Sequence, residues 1–325
     1  MKLPRRNFLH LAASAAALPT VARIAWAQTY PTRPVRLIVP LAPAGATDII
    51  ARLIGQWLSE RLRQQFVIDN RPGGGGNIGT EAVVRAPADG YTLLLVTASN
   101  AISATFYDKL NYNFIRDISP VASIIRTPNV MVVNPSVPAK SVPEFIAYAK
   151  ANPRKLNMAS PGNGTSPHLV GELFKMMAGV DMVPVHYRGS GPAFTDLLGG
   201  QVQVYFPGTV SSIEYIKTGR LRALAVTTAT RSDELPDVPT VGEFVPGYEA
   251  SGWFGVGAPQ GTPVEILDML NKEINAALAD PKMKSRLADL GGTVLPGSPA
   301  AFGKLIAEET EKWGNVIRAL NIKAE

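Results

Sequence analysis

The stretch VRLIVPLAPAGATDIIARLIGQWLSERL, residues 35–62, decides the fold class. VRLIV is a short β-branched run that stops at Pro40, which reads as a strand. From Ala46 the period changes. Ile49, Ile50, Leu53, Ile54, Trp57 and Leu58 fall on one face of a helix. A strand that feeds a helix through a short loop is the unit of a parallel sheet with helices on its faces.

The same alternation continues along the chain. FVID (66–69) and YTLLLV (91–96) read as strands around a short helix, NIGTEAVVRA. A second strand series follows: VMVVN, LNMAS, MVPVHY, VQVYF and LRALAV. Helices such as SVPEFIAYAKAN and SPHLVGELFKMMAG separate its members. From Thr262 the order is helix, helix, a short strand TVL and a long helix. Two extended segments, 123–138 and the Gly- and Pro-rich 245–263, divide the two series. The expectation is an α/β chain of two lobes, each a mainly parallel sheet flanked by helices. Residues 28–127 and 250–325 form lobe 1, and 128–249 form an inserted lobe 2.

The N-terminus reads as an export signal. Lys2, Arg5 and Arg6 precede the apolar run FLHLAASAAAL, which is too short to span a bilayer. Small residues at Ala25 and Ala27 place cleavage after Ala27. Arg5-Arg6-Asn7-Phe8-Leu9 resembles a twin-arginine signal, and an ordinary secretory signal is the alternative. Residues 1–27 carry four basic residues and no acid, so the net charge of +6 falls to +2 without them. That balance, with no basic cluster interleaved by aromatics, argues against a nucleic-acid partner. The expected location is the periplasm, as a monomer, and the absence of cysteine fits an exported chain stabilised by its core.

RPGGGGNIGT, residues 71–80, matches nucleotide motifs only in part. Gly74, Gly76 and Gly79 spell G-x-G-x-x-G, but the acid that should follow, Asp89, sits in the turn PADGY. The P-loop lysine is missing, because Thr80 and Glu81 stand there. The run reads instead as a tight connection into a helix starting near Asn77.

In open α/β sheets, ligands bind beyond the carboxyl ends of the strands. Three strand-to-helix loops carry the candidates. PLAPAGATD (40–48) supplies Leu41, Ala42, Ala44, Gly45, Thr47 and Asp48. Its free helix amides suit an anion, and Asp48 either caps the helix or accepts from the ligand. ASPGNGTSPHLVGELF (159–174) supplies Gly162, Asn163, Gly164 and Thr165, with Ser166 as the N-cap before Pro167. His168 in its first turn is either a ligand contact or a packed ring. YRGSGPAFTDLLGGQV (187–202) supplies Gly189 and Arg188, which either grips a carboxylate bidentately or makes a structural ion pair. Gly75, Ser99, Asn100 and Gly208 complete the set.

Catalytic and metal motifs are absent. Beyond the signal only His168 and His186 are histidines, and neither H-E-x-x-H nor G-x-S-x-G occurs. Ser166 and His168 are two apart at a helix start and point to different sides. No catalytic residue, metal or cofactor is expected. Backbone donors without catalytic groups suit a receptor for a small acid; a hydrolase or isomerase in the same cleft is the alternative.

The segments YPTRPVRLIVPLAPAGATDIIAR, VIDNRPGGGGNIGTEAV, SPGNGTSPHLVGELF, YRGSGPAFTDLLGGQV, GRLRALAVTTATRSDELPDVPTVGE and WFGVGAPQGTP resemble the Bug family. These are exported solute-binding receptors of tripartite tricarboxylate transporters. The resemblance covers residues 30–325 and implies a two-lobed, Venus-flytrap periplasmic-binding fold. It implies a bound di- or tricarboxylate, acidic amino acid or aromatic acid, held by loop amides, hydroxyls and waters. It implies membrane transporter subunits as partners, with a sensor protein as the alternative. The family often has Phe where Leu41 stands and Gly at position 44, so cleft shape here departs from the pattern.

Overall fold

The computed structural model describes residues 30–320, and everything below concerns the compact unit that begins at Arg33. The proposed export signal lies outside the described residues. The opening stretch forms strand β1 (Val35–Val39) and helix α1 (Ala46–Leu62), as its change of period requires. β2 (Phe66–Asn70) and β3 (Thr92–Thr97) both pair parallel with β1, and α2 (Asn77–Val84) lies between them in sequence. After α3 (Ala98–Phe106) and the one-turn α4 (Phe114–Asp117), β4 (Ile118–Pro128) completes the first run.

The chain then crosses at Asn129. β5 (Val130–Val133), β6 (Asn157–Ser160), β7 (Val183–His186), β8 (Val204–Tyr205) and β9 (Arg222–Val226) form a second sheet, ordered β7-β6-β8-β5-β9. Helices α5 (Val142–Ala151), α6 (Ser166–Ala178), α7 (Ser190–Leu198) and α8 (Thr209–Lys217) connect them. The return strand β10 (Ser251–Pro259) enters the first sheet, followed by α9 (Val264–Ala279), α10 (Pro281–Asp289), β11 (Thr293–Val294) and α11 (Pro299–Leu320). The first sheet runs β11-β4-β10-β3-β1-β2. In each sheet four strands point one way. The antiparallel members are β10 and β11 in the first and β5 in the second. Two of these, β5 and β10, are the strands that directly follow a crossing.

Residues 245–263, read from sequence as an extended crossing, are half sheet strand. From Ser251 onward they form β10, between β3 and β4. Glycine in this segment has a packing role: a Cβ on Gly255 would run into the Phe302 ring. Sequence reading also missed α3 and α8 as helices.

Apolar clusters pack beside both sheets, and two of them bear on how the lobes join. One gathers Leu94, Val96, Trp253, Phe302 and Ile306 beside the first sheet. The other gathers Phe145, Leu169, Phe174 and Phe206 beside the second, and it includes Ile102 and Phe106 of α3 and Trp313 and Ile317 of α11. α3 and α11 therefore pack against both lobes. Among the described residues no helix is long and apolar enough to cross a membrane.

Candidate functional site

The two crossings meet in one hydrogen-bonded knot. Asn129 N donates to Thr227 Oγ1 at 3.0 Å, Thr227 N donates to Asn129 O at 2.9 Å, and Ala250 N donates to Thr227 O at 2.9 Å. Beside this knot lies a cavity of ≈ 50 Å³ between the lobes. Leu41, Ala46, Thr47 and Thr97–Ser99 line it from the first lobe. Pro161, Ser166, Pro167, Ser190, Gly208 and Ser211 line it from the second, and Thr127, Asn129 and Gly252–Phe254 come from the crossing strands. None of these residues is charged. At roughly 10–15 Å³ per water, the space suits a few waters or one small organic group.

Five helices begin at this cavity: α1, α3, α6, α7 and α8. Four of them start without a side-chain cap, from Gly45, Thr165, Gly189 and Gly208. Each helix start carries about half a positive elementary charge. At α6 the Ser166 amide is taken by Ser99 Oγ, and at α1 Asp48 in the first turn offsets part of it. The wall is thus positive without a cationic side chain. α3 is the exception, because Thr97 and Asn100 close a capping box on it.

The side chains add a second signal. Thr127 Oγ1, Asn129 Oδ1, Ser166 Oγ and Trp253 Nε1 all line the cavity, are buried, and have no hydrogen-bond partner. Each unmade bond costs about 1–3 kcal/mol, so a guest that satisfies them stabilises this closed arrangement. Closure is visible in contacts between the lobes. Ala42 N donates to Arg188 O at 3.3 Å, Ser166 N to Ser99 Oγ at 3.0 Å, and Tyr107 OH to Asn163 O at 2.8 Å.

Of the residues singled out from sequence, Leu41, Thr47, Ser99, Ser166 and Gly208 line the cavity. Gly75, Gly162, Asn163 and Arg188 border a separate outer hollow of ≈ 530 Å³ that shares Leu41 and Pro161 with it. The glycine run closes this mouth: Gly75, at φ +65°, abuts Asn163, and a Cβ there would lie 2.3 Å from the Asn163 carbonyl oxygen. Ala42, Gly45 and Gly189 sit at the contact between the lobes. Ala44 takes φ +65°, a conformation that favours glycine. Gly164 packs on Phe106.

The N-cap of α6 is Thr165, not Ser166. The Thr165 hydroxyl donates back to Gly162 O at 2.7 Å, which leaves the Ser166 hydroxyl for the cavity. Asn100 is turned inward, accepting from Thr97 N and donating to Thr80 Oγ1.

The two titratable candidates lie off the cavity wall. Asp48 is 3% exposed; its Oδ2 accepts from Ala44 N at 3.1 Å and Arg52 Nε at 2.9 Å. Burial pushes this carboxyl up, but Arg52, the Ala44 amide and Asn70 outweigh it and hold it below the usual range. His168 is also 3% exposed. Its Nδ1 accepts from Gly164 N at 3.2 Å, and its ring stands edge-on to His186. Burial, then His186 and Lys175, lower its pKa to about 3.

The sign for His168 follows from its lowered pKa. A neutral folded imidazole stabilises the fold fully above its unfolded value near 6.5, and that contribution is lost as pH falls toward 3. His168→Asn, which keeps an acceptor for Gly164 N, is expected to flatten the fall of the urea midpoint between pH 7 and pH 4. An unchanged acid limb would remove this role.

Thr127, Asn129 and Trp253 were missed from sequence; Ser99 and Gly208 were singled out, but not as the starts of the helices α3 and α8. The one local signal was the Thr97-to-Asn100 spacing of a capping box.

Residues 50–322 match the family described as tripartite tricarboxylate transporter family receptor, TctC. Protein BugT of Bordetella pertussis is 39% identical over 300 residues, 91% of this chain and 92% of its own. The structure of R. palustris Rpa4515 with adipate is 40% identical, with a TM-score of 0.88 over 90% of this chain and 99% of that one. MatC from Rhodopseudomonas palustris with bound malate is 31% identical, with a TM-score of 0.85 over 89% and 100%. The chain belongs to the TctC, or Bug, family of tripartite tricarboxylate transporter receptors, a family of solute-binding proteins and not of enzymes.

Proposed function

We propose that this protein is an exported, periplasmic receptor that captures a small carboxylate between its lobes and delivers it to the membrane subunits of a tripartite transporter. The observation that carries this reading is the uncharged cavity ringed by five helix starts and four unpartnered buried polar atoms. Such a wall holds an anion with preformed dipoles instead of a buried ion pair. The adipate and malate bound in the two related structures support the ligand class. Residues 28–127 and 250–325 form one lobe and 128–249 the other, with the Asn129–Thr227–Ala250 knot as the hinge about which they close.

Calorimetric titration of residues 28–325 with di- and tricarboxylates, acidic amino acids and aromatic acids tests the proposal. Saturable binding of at least one class is expected, and no binding of any class would overturn it. Trp253→Phe probes the wall. It keeps the edge-to-face packing on Phe302 and removes the indole donor. Affinity for the acid that binds is expected to fall about tenfold, the worth of one hydrogen bond to a charged group.

A further inference from the structure

Resting on that receptor reading, we propose that Asn129 makes the cavity selective for acids that carry a hydroxyl or ammonium group beside the bound carboxylate. Asn129 is 2% exposed and stands at the crossing from β4 to β5. Its backbone is fixed by Thr227 on both its N–H and its C=O, so the residue does not swing away. Its side-chain Nδ2 donates to Phe206 O at 2.8 Å. A carbonyl only accepts, which fixes the amide with its nitrogen on Phe206 and Oδ1 on the other side. Oδ1 has no partner.

The approach to that oxygen is kept clear. A Cβ on Gly252 would lie 3.7 Å from Asn129 Oδ1 and 3.4 Å from Thr127 Oγ1, and glycine leaves that space to the cavity. The rest of the wall is donor-rich: helix amides, the Trp253 indole N–H, and hydroxyls that serve either way. Asn129 Oδ1 only accepts. A carboxylate oxygen placed against it is repelled, so the guest atom there must bear a hydrogen. An acid without such a donor leaves Asn129 unpaired or must share a cavity of ≈ 50 Å³ with a bridging water. Sites built to hydrogen-bond a ligand hydroxyl discriminate strongly against the analogue that lacks it.

Matched acids test this by calorimetry. Succinate is compared with its 2-hydroxy and 2-amino derivatives, and butyrate with 2-hydroxybutyrate. In the wild-type chain a derivative is expected to bind at least about tenfold more tightly than its parent, the equivalent of one buried hydrogen bond. In Asn129→Ala that ratio is expected to fall to near one. Gly252→Ala fills the approach to Oδ1 without touching the bonds of the amide. It is expected to lower the same ratio even if Asn129→Ala does not fold. Equal binding of parent and derivative by the wild-type chain would overturn the selectivity while leaving the receptor reading intact. A ratio that survives in both variants would overturn the assignment to Asn129. Binding of no acid at all would instead remove the receptor reading.

Discussion

Trp313→Ala is expected to lower the stability of the chain by about 3–5 kcal/mol, the usual loss on truncating a buried tryptophan. Trp313 is 1% exposed near the far end of α11. It belongs to the apolar cluster of the second lobe, with Phe174 and Phe206. Phe302 and Ile306, earlier on the same helix, belong to the cluster of the first lobe. The 22 residues of α11 reach roughly 33 Å, enough to run beside both. Truncation leaves a cavity in one lobe and loosens its attachment to the other. Trp313 Nε1 also donates to Glu309 Oε2 at 3.2 Å, so that buried carboxylate keeps only Arg126 at 3.9 Å. Urea unfolding followed by tryptophan fluorescence and far-ultraviolet dichroism checks this. A lower midpoint is expected, with the two signals separating as the lobes lose their coupling. A loss below about 1 kcal/mol would show that α11 does not tie the lobes together.

How much of this was legible in the sequence depended on distance along the chain. Where a strand end and a helix start are neighbours in sequence, the loop between them can be read. Leu41, Thr47 and Ser166 came from such loops and do line the cavity. Thr127, Asn129 and Trp253 reach it from the crossing strands. Their place depends on pairings such as Ser251 with Pro128, more than a hundred residues apart in sequence. Glycines at 255 and 257 made β10 look like an extended crossing instead of a sheet strand, because their purpose is visible only once Phe302 and Ile118 are packed against them. α3 was missed for a related reason. Residues 98–103 are all buried, the polar Ser99, Asn100 and Ser103 among them, so in this short helix polar residues do not mark a solvent face.

The charged and titratable candidates drew attention as chemically distinctive residues, yet the cavity wall contains none of them. A buried charge needs partners. Asp48 found Arg52 and the Ala44 amide, whereas His168 avoids the requirement by staying neutral. Arg188 lends the cleft its backbone carbonyl, and the residue is exposed and borders the outer hollow. Helix starts supply the positive field with no added desolvation, and they leave no trace in a count of charged residues.

Gly45→Leu is expected to weaken solute binding by about 5- to 150-fold, because it obstructs closure and leaves each lobe untouched. Gly45 lies on the first lobe at φ −91° and ψ 171°, a conformation open to any residue. A Cβ there would stand 3.2 Å from Ser190 Cβ and 3.3 Å from Ser190 Oγ, on the second lobe. The remaining leucine atoms have no room while Ala42 N and Ser166 N reach across to Arg188 O and Ser99 Oγ. Overpacking of this kind costs about 1–3 kcal/mol, and opening the cleft relieves it entirely. The penalty therefore falls on the closed, ligand-bound form and enters the dissociation constant at tenfold per 1.4 kcal/mol. Unfolding without ligand should move by less than about 1 kcal/mol, the change expected for losing glycine at an N-cap. Calorimetry gives the affinity, and small-angle scattering with saturating acid shows whether the lobes still come together. Gly45→Ala should give a smaller loss in the same direction. Wild-type affinity in Gly45→Leu would mean that the acid is held without this contact, and the interlobe cavity would no longer be its site.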